Sequence, residues 1–255
     1  MDFIVSANTD IGTTKNTNQD GLSVKVIDTA QGKMTFAILC DGMGGLAKGE
    51  VASTTVISAF NDWVYNELPK LCNAPIDDNV IKSQWEKIVI EQNEAIKSYG
   101  KSQGIRLGTT IVVMLITQTR YYLLNVGDSR AYEISDTLHQ LTVDQTFIAR
   151  EIQMGRMTPE EAAVDPRRNV LLQCVGASEE VYPDMFYGDA VQGAVYMLCS
   201  DGFRHEITPD EIYQGFHPNV LISAETMNNN TLSLIELNKQ RAERDNISVV
   251  LVRTF

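Results

Sequence analysis

Two apolar runs of this chain end directly at an aspartate that is followed by a glycine. Residues 38–40 (ILC) lead into Asp41 of DGMGG, and residues 196–200 (YMLCS) lead into Asp201 of DGF. Three further aspartates stand beside a glycine or an asparagine at the predicted end of an element, which gives the set Asp20, Asp41, Asp128, Asp201 and Asp245. A single Asp-Gly pair is most often a turn, but this repetition predicts that several carboxylates are brought to one place.

Carboxylates gathered in one cleft are suited to binding hard cations. Ionised groups of like charge repel, and their pKa values rise unless a cation compensates. Sets of oxygen ligands select Mg²⁺ or Mn²⁺ over zinc and copper, and a neighbouring glycine leaves room for a backbone carbonyl or for bound waters. The cysteines Cys40, Cys72, Cys174 and Cys199 show no CxxC spacing, so neither a zinc site nor a thioredoxin-like motif is indicated.

Other ligand-binding patterns fit the glycine-rich segment after Asp41 less well. Residues 42–47 match G-x-G-x-x-A between a strand and a helix, but the second parallel strand of a dinucleotide-binding unit does not follow. Residues 44–49 have the glycine spacing of a P-loop, but Glu50 stands where lysine is needed. An EF-hand loop would need several further oxygen ligands. The sequence also contains neither HExxH nor GxSxG, which argues against a zinc protease or a serine hydrolase.

The elements that would position these aspartates are strands and two long helical stretches. Strands are predicted at 22–28, 34–40, 109–117, 120–127, 130–134, 194–199 and 247–252. Helices are predicted at 50–63 and 79–99, and capping boxes at 158–161 and 208–211 each predict the start of another helix. After the strand at 194–199, helical structure is predicted to about Glu243, with a break near Asn228–Asn230. Without regular βα alternation, this order favours an α+β fold with mostly antiparallel sheet. The lack of repeats and linkers favours one domain.

Composition restricts the class of partner. The chain has 255 residues, of which 44% are hydrophobic and 21% charged, as is usual for soluble globular proteins. Its net charge of −12 argues against nucleic acid or an anionic membrane as the main partner. No apolar run approaches the length of a membrane span, and residues 1–10 lack the features of a secretory signal. We therefore expect a cytoplasmic protein with reduced cysteines that binds neither nucleic acid nor membrane.

Six segments together carry a specific family resemblance. In chain order they are TDIGTTKNTNQDG (9–21), CDGMGGLAKGEVAS (40–53), GTT (108–110), VGDSR (126–130), LCSDGF (198–203) and RDNISVV (244–250). The sequence thereby resembles the metal-dependent type 2C protein serine/threonine phosphatases of the PPM family, most of all the small bacterial members. The resemblance implies a four-layer α-β-β-α sandwich, two antiparallel sheets flanked by helices. Residues 1–255 would form a single catalytic domain with the metal cleft at one sheet edge.

The resemblance also implies roles for the residues at the strand ends. Asp41 would bridge two Mn²⁺ or Mg²⁺ ions, and Gly42 would offer its carbonyl oxygen to them. Asp201 and Asp245 would complete the ligands of the first ion, so that these two and Asp41 are the catalytic residues. A water activated by the ions would displace the serine or threonine oxygen directly. No side-chain nucleophile is then needed, in agreement with the missing serine and cysteine motifs.

Further roles follow from the same resemblance. Asp20 would hold metal-bound waters or bind an ion directly, and Asp128 would join Asp201 around a weaker third ion. The segment near 145–172 would be a flap over the cleft, which in relatives affects substrate choice.

Three positions depart from the family pattern. Lys15 stands where the family usually has the arginine that grips the substrate phosphate. Lysine keeps the charge but loses the bidentate geometry, so weaker phosphate binding is expected unless Lys15 is a solvated loop residue. Leu46 and Asp165 stand where bacterial relatives commonly have histidine. His205, four residues after Asp201, is a candidate proton donor, although a surface or core histidine is commoner and a metal-bound water is an alternative donor.

The sequence therefore predicts a metal-dependent enzyme that hydrolyses phosphoserine and phosphothreonine in proteins with two core Mn²⁺ or Mg²⁺ ions and a weaker third. By analogy with bacterial relatives, it would act in signalling as a monomer and oppose a serine/threonine kinase. Two alternatives stay open. One is a pseudophosphatase that binds phosphoproteins as a regulator, which Lys15 favours and the complete set of aspartates opposes. The other is a hydrolase of small phosphate esters on the same fold.

Overall fold

The computed structural model describes residues 1–44 and 48–255. One five-stranded sheet contains Gly21–Thr29 (β2), Gly32–Cys40 (β3), Ile111–Ile116 (β6), Arg120–Val126 (β7) and Asp184–Asp189 (β10), in the order β10-β7-β6-β3-β2. The other contains Phe3–Asp10 (β1), Arg130–Ile134 (β8), Leu138–Gln140 (β9), Val195–Cys199 (β11) and Ile247–Thr254 (β12), in the order β1-β12-β11-β8-β9. The short strands Gly42–Gly44 (β4) and Leu107–Thr109 (β5) pair with each other. The strand pairs within both large sheets are antiparallel.

Helices cover the outer faces of the two sheets. They are Gly49–Asn66 (α1), Leu68–Leu71 (α2), Asp78–Gln103 (α3), Phe147–Gln153 (α4), Pro159–Val164 (α5), Asp201–Arg204 (α6), Pro209–Phe216 (α7) and Ala224–Gln240 (α8). Residues of α1 and α3 pack against the sheet that contains β3, and residues of α7 and α8 pack against the sheet that contains β12. Within the described residues, none of the helices combines the length and apolar character that a membrane crossing requires.

The burial of β3 shows how the layers are stacked. Its seven residues from Met34 to Cys40 are all buried. Because successive side chains of a strand point to opposite faces, Phe36 and Ile38 pack under the helices while Ala37 and Leu39 pack between the sheets. Both faces of the strand are therefore covered, as in a four-layer sandwich. The α-β-β-α architecture expected from the resemblance is confirmed.

Most of the predicted elements are present, and both capping boxes are formed by Thr158 with Glu161 and by Thr208 with Glu211. The predicted break near Asn228–Asn230 is wrong, because α8 runs through these residues. Packing explains the difference. Met227 and Thr231 are buried on either side of the three asparagines, and the Asn230 side chain donates a hydrogen bond to the Gly215 carbonyl at 2.8 Å. Tertiary contacts thus outweigh the weak helix propensity of asparagine.

Candidate active site

Strand pairing brings Asp20 and Asp41 together. Asp20 immediately precedes β2, and Asp41 immediately follows β3. The two strands are antiparallel, with Gly21 opposite Cys40. An antiparallel pair places the end of one strand beside the start of the other, so the two carboxylates flank the same end of this sheet.

The other aspartates reach the same end of the sandwich from β8, β11 and β12. Asp201 lies just beyond β11 and Asp245 just before β12, and these strands pair with each other. Asp128 lies in the turn between β7 and β8, which belong to different sheets. The topology therefore gathers carboxylates from both sheets at one place.

A cleft of about 350 Å³ opens at this end of the sandwich. The predicted site residues that line it are Lys15, Asp41, Gly42, Asp128, Asp201 and Asp245. The remaining predicted ligand, Asp20, has both of its carboxylate oxygens buried, and its pKa responds to the charges of Asp201 and Asp245. The structure thus brings all seven predicted site residues together.

Two of the glycines beside these aspartates allow a close approach of backbone segments. A Cβ atom on Gly42 would lie 2.3 Å from the Gln19 carbonyl oxygen and 2.5 Å from that of Gly49. A Cβ atom on Gly202 would lie 2.2 Å from the Asn246 carbonyl oxygen. Any side chain at either position would push apart the segments that carry the aspartates. The glycines are therefore needed to bring the carboxylates close, in addition to the space that the sequence suggests for waters.

The electrostatics of the cleft show an excess of negative charge. Burial raises the pKa of Asp20 to about 7, and the charges of Asp201 and Asp245 add to this effect, while the nearby hydroxyls of Ser248 and Ser200 oppose it in part. Burial and the charge of Asp20 hold the pKa of Asp41 well above its ordinary value. Burial and the charge of Asp201 raise the pKa of Asp128 to about 6. Among the described residues, neither carboxylate oxygen of Asp20 has a hydrogen-bond partner, and Asp201 Oδ1 has none either.

These carboxylates fit a hydrated hard cation. Buried oxygens without partners are costly, and a cation would satisfy them while lowering the raised pKa values. In the described part of the chain, no three His, Cys, Asp or Glu side chains converge closely enough to hold an ion by themselves. Mg²⁺ keeps several waters and is commonly bound through only one or two carboxylates. An open set of carboxylate and carbonyl oxygens therefore suits Mg²⁺ or Mn²⁺ completed by water.

Lys15 reaches the cleft from the loop between β1 and β2. Its Nζ lies 2.7 Å from Asp245 Oδ1, and its side chain is 40% exposed. Burial lowers the pKa of Lys15, but the hydrogen bond to Asp245 and the negative charges of Asp245, Asp41 and Asp201 together outweigh that effect, so the pKa is raised. Lys15 is thus an ammonium group in contact with a predicted metal ligand and accessible from solvent.

Arg204 is a cation of the site that the sequence does not reveal. Its Nη2 donates a hydrogen bond to the Asp128 carbonyl at 3.1 Å and lies 3.6 Å from Asp128 Oδ2. Behind it, the guanidinium of Arg130 binds the Asp144 carboxylate with two hydrogen bonds of 2.8 and 2.7 Å. Asp128 therefore faces a positive charge supplied by the protein. The position of Arg204 one helical turn after Asp201 is the one signal that could have suggested it.

His205 lies beside Asp201 and is therefore part of the site. Its Nε2 is 3.5 Å from Asp201 Oδ2, and its Nδ1 is 3.4 Å from Oε2 of Glu243. Burial lowers the pKa of His205, but Glu243 and Asp201 outweigh it, so that the pKa is raised. Glu243 is a second residue that sequence reasoning missed. Its position two residues before Asp245 was the available signal.

The predicted flap is a segment whose two ends are joined by backbone hydrogen bonds. Phe147 N–H donates to the Val170 carbonyl, and Leu172 N–H donates to the Gln145 carbonyl, both at 2.8 Å. Between these ends lie α4 and α5, and two residues near the second end, Asn169 and Leu171, line the cleft. The segment therefore returns to the mouth of the cleft.

The other two departures from the family pattern lie elsewhere. Asp165 accepts two hydrogen bonds from the Arg167 guanidinium at 3.0 and 2.8 Å, and this interaction lowers the pKa of Asp165 to about 2. Asp165 is thus an ion-paired carboxylate and does not replace the proton donor that a histidine could provide. Leu46 lies outside the described residues.

Comparisons with known proteins agree with this geometry. The family model of protein phosphatase 2C matches residues 13–236. The serine/threonine phosphatase stp of Listeria innocua is 30% identical over 247 residues, which cover 96% of this chain and 93% of that protein.

Solved structures show the same similarity. The serine/threonine phosphatase of S. agalactiae superimposes with a TM-score of 0.83 at 28% identity and covers 99% of this chain and 100% of its own. The catalytic domain of the serine/threonine protein phosphatase PstP, solved in complex with two manganese ions, has a TM-score of 0.76 at 29% identity. That comparison covers 98% of this chain and 97% of the PstP chain.

Proposed function

Since the chain belongs to the protein phosphatase 2C family of serine/threonine protein phosphatases, we propose that it hydrolyses phosphoserine and phosphothreonine in proteins with bound divalent cations at this cleft. The observation that carries the proposal is the set of buried carboxylates with raised pKa values and unpartnered oxygens. Its similarity to a phosphatase solved with two manganese ions supports Mn²⁺ as one cofactor, and the oxygen donors suit Mg²⁺ equally.

The proposed ligands of the two core ions are Asp41, Asp201 and Asp245 with the Gly42 carbonyl. Asp20 lies with its oxygens buried beneath the cleft, where it would hold waters of the ions or bind one directly. When bound, the ions would supply the positive charge that activates a water for attack at phosphorus and offsets the charge of the phosphate oxygens. The protein contributes the positions of the carboxylates, which come from the ends of strands in both sheets.

Lys15 is proposed to bind the substrate phosphate. Its ammonium lies at the cleft beside Asp245, and its side chain is exposed enough to meet an entering phosphate. A phosphate monoester carries more negative charge than a single carboxylate, so it would attract the ammonium away from Asp245. Lysine offers a point charge and no planar fork, so its contribution to phosphate binding would be smaller than that of an arginine.

Asp128, together with Asp201, is proposed to bind a weaker third ion. The Arg204 guanidinium near Asp128 already supplies positive charge, and this charge would compete with the ion. The third ion should therefore bind less tightly than the two core ions.

Phosphorylated proteins are the substrates, and we propose that they are the products of a serine/threonine kinase that this phosphatase opposes. We further propose that residues 1–255 act as one catalytic domain, as a cytoplasmic monomer, with the segment near 145–172 as its flap. Asn169 and Leu171 of that segment line the cleft, so a bound phosphoprotein would contact it.

The test is phosphate release from a phosphothreonine peptide with Mn²⁺, with Mg²⁺, and after chelation. Turnover that requires metal and is faster on phosphopeptides than on a small aryl phosphate supports the proposal. Faster turnover of the small ester would instead indicate a small-molecule phosphatase.

The second candidate function is a regulator that binds phosphoproteins without hydrolysing them. Lys15 in place of the usual arginine is the observation that favours it. Binding of a phosphopeptide to the metal-loaded protein without any phosphate release would establish this function and exclude the enzyme.

A further inference from the structure

Glu243 is a buried carboxylate beside the cleft that has no part in the proposed reaction. It lies in the loop between α8 and β12 and is only 5% exposed. Its Oε1 accepts hydrogen bonds from the backbone N–H groups of Arg244 at 2.7 Å and Asp245 at 2.8 Å. Its carbonyl oxygen accepts the hydroxyl of Thr13 at 2.7 Å. Glu243 therefore holds the backbone of the segment that carries Asp245.

His205 links the same carboxylate to Asp201. One ring nitrogen, Nδ1, lies 3.4 Å from Glu243 Oε2, and the other, Nε2, lies 3.5 Å from Asp201 Oδ2. The ring thus faces a carboxylate on each side. It engages Oδ2 of Asp201, while Oδ1 of the same carboxylate has no partner among the described residues. Within the part of the chain that the structure describes, this arrangement leaves Oδ1 without a protein group that would compete with a cation.

We propose that Glu243, acting through its backbone contacts and through His205, is a positioning residue that orients both Asp245 and Asp201 for metal binding. The proposal rests on the function proposed above, in which these two aspartates hold an ion. A metal ligand that a second group already holds in place loses less conformational freedom when the ion binds. Removal of such a partner typically costs about 10- to 100-fold in metal affinity. Through His205, Glu243 connects two ligands that come from different elements.

A packing role would have different consequences. The His205 side chain is 30% exposed, so its contribution to the core is small. If Glu243 only stabilised its loop, its substitution would lower the unfolding temperature without changing the metal affinity of the folded protein. Metal affinity measured well below that temperature therefore separates the two roles.

The experiment is a calorimetric titration of the metal-free protein with Mn²⁺ at one fixed pH. The variants are Glu243→Gln, His205→Gln and the double variant. Glu243→Gln keeps an oxygen that can accept the Arg244 and Asp245 N–H groups but removes the charge that faces His205. Glu206→Gln is the matched control, because Glu206 is an exposed carboxylate that lines the same surface pocket as His205 and Glu243. In the described structure its carboxylate makes no hydrogen bond or ion pair with either aspartate.

We expect Glu243→Gln to weaken the tighter Mn²⁺ site by roughly tenfold or more, and Glu206→Gln to leave it unchanged. His205→Gln should weaken the same site, and the double variant should bind no more weakly than Glu243→Gln, because both residues act along one path. Phosphatase activity lost at low Mn²⁺ should return at saturating Mn²⁺, with kcat close to that of the wild type.

Wild-type Mn²⁺ affinity in Glu243→Gln would overturn the proposal, and so would a loss of affinity equal to that of Glu206→Gln. A kcat that stays low at saturating Mn²⁺ would also contradict it, since positioning of the ions is then not the defect. A wild-type protein that binds no Mn²⁺, or whose binding survives Asp41→Asn unchanged, would overturn the proposed function together with this inference. The two failures are therefore distinguishable.

Discussion

Strand β3 carries Phe36 near its middle and leads into Asp41 at its end, and these two residues lie in regions of opposite character. Around Phe36, the rings of Phe60 and Trp63 from α1 and of Trp85 from α3 are all buried. The Trp63 and Trp85 rings meet edge to face with their centroids 5.5 Å apart. Around Asp41, by contrast, the neighbours are carboxylates, and their mutual repulsion is partly responsible for its raised pKa.

The difference shows where stability and function reside in the molecule. Burial of aromatic rings in favourable pairs stabilises the fold, with about 0.5–1.5 kcal/mol per pair beyond the area buried. Burial of like charges opposes folding unless a cation compensates. The aromatic cluster, Phe36 with Phe60, Trp63 and Trp85, should therefore control stability. The carboxylate cleft should control activity, and substitutions should separate the two properties.

The strongest test of this separation is Asp41→Asn. Loss of one carboxylate that would hold the core ions should lower kcat/KM on a phosphothreonine peptide by on the order of 10³-fold. The metal-free variant should be at least as stable as the wild type, because one of several mutually repelling carboxylates is gone. Kinetics and thermal unfolding in a chelator check the two parts. Wild-type turnover would contradict the two-ion mechanism, and a large fall in unfolding temperature would contradict the separation of the two regions.

The complementary substitution is Trp85→Ala in the aromatic cluster. Removing a large buried ring should lower the free energy of unfolding by about 3–5 kcal/mol. Turnover and Mn²⁺ affinity should stay near wild type in the folded protein, because Trp85 projects from α3 into the core under the β3 sheet and does not line the cleft. Urea unfolding and kinetics at low temperature provide the measurement. Tyr65→Ala, at a 67% exposed position of α1, is the control and should change stability little. A loss of Mn²⁺ affinity in Trp85→Ala would show that the aromatic cluster and the carboxylate cleft are energetically coupled.

A smaller effect is expected for Asp128→Ala, which tests whether Asp128 binds only the weaker third ion or also the core ions. Activity should fall by roughly tenfold at moderate metal concentration, since only the weaker third ion is affected. The number of tightly bound Mn²⁺ ions should remain that of the wild type. Titration of the metal-free protein measures this number, with Asp136→Ala at an exposed loop position as the control. Loss of all bound metal would show that Asp128 belongs to the core site.

The candidate ligands could be found in the sequence because their signal is local. An apolar run, an aspartate and a glycine are close together in the chain, and the end of the apolar run places the aspartate at a strand end. The gathering of the five aspartates depends on antiparallel pairing between particular strands, and the family resemblance supplied that information. Composition and periodicity by themselves reached only an α+β fold with antiparallel sheet.

The partners of these ligands could not be predicted, because they meet only in three dimensions. The sequence shows that His205 follows Asp201 and that Glu243 precedes Asp245, but not that His205 and Glu243 are in contact. The error at Asn228–Asn230 has a similar origin. Three asparagines weaken a helix locally, and the buried neighbours that maintain α8 are brought there by other elements.

The smallest predicted effect concerns Lys15, the residue where the cleft meets solvent. Lys15→Arg should lower KM for a phosphothreonine peptide by a few-fold, because guanidinium binds two phosphate oxygens where ammonium makes a point contact. Competitive inhibition by inorganic phosphate should strengthen in parallel, since phosphate would occupy the same position. Lys239→Arg is the matched control, because Lys239 pairs with Asp10 at 3.2 Å and does not line the cleft. If neither KM nor phosphate inhibition changes in Lys15→Arg, then Lys15 only forms the ion pair with Asp245, and phosphate recognition must come from the ions.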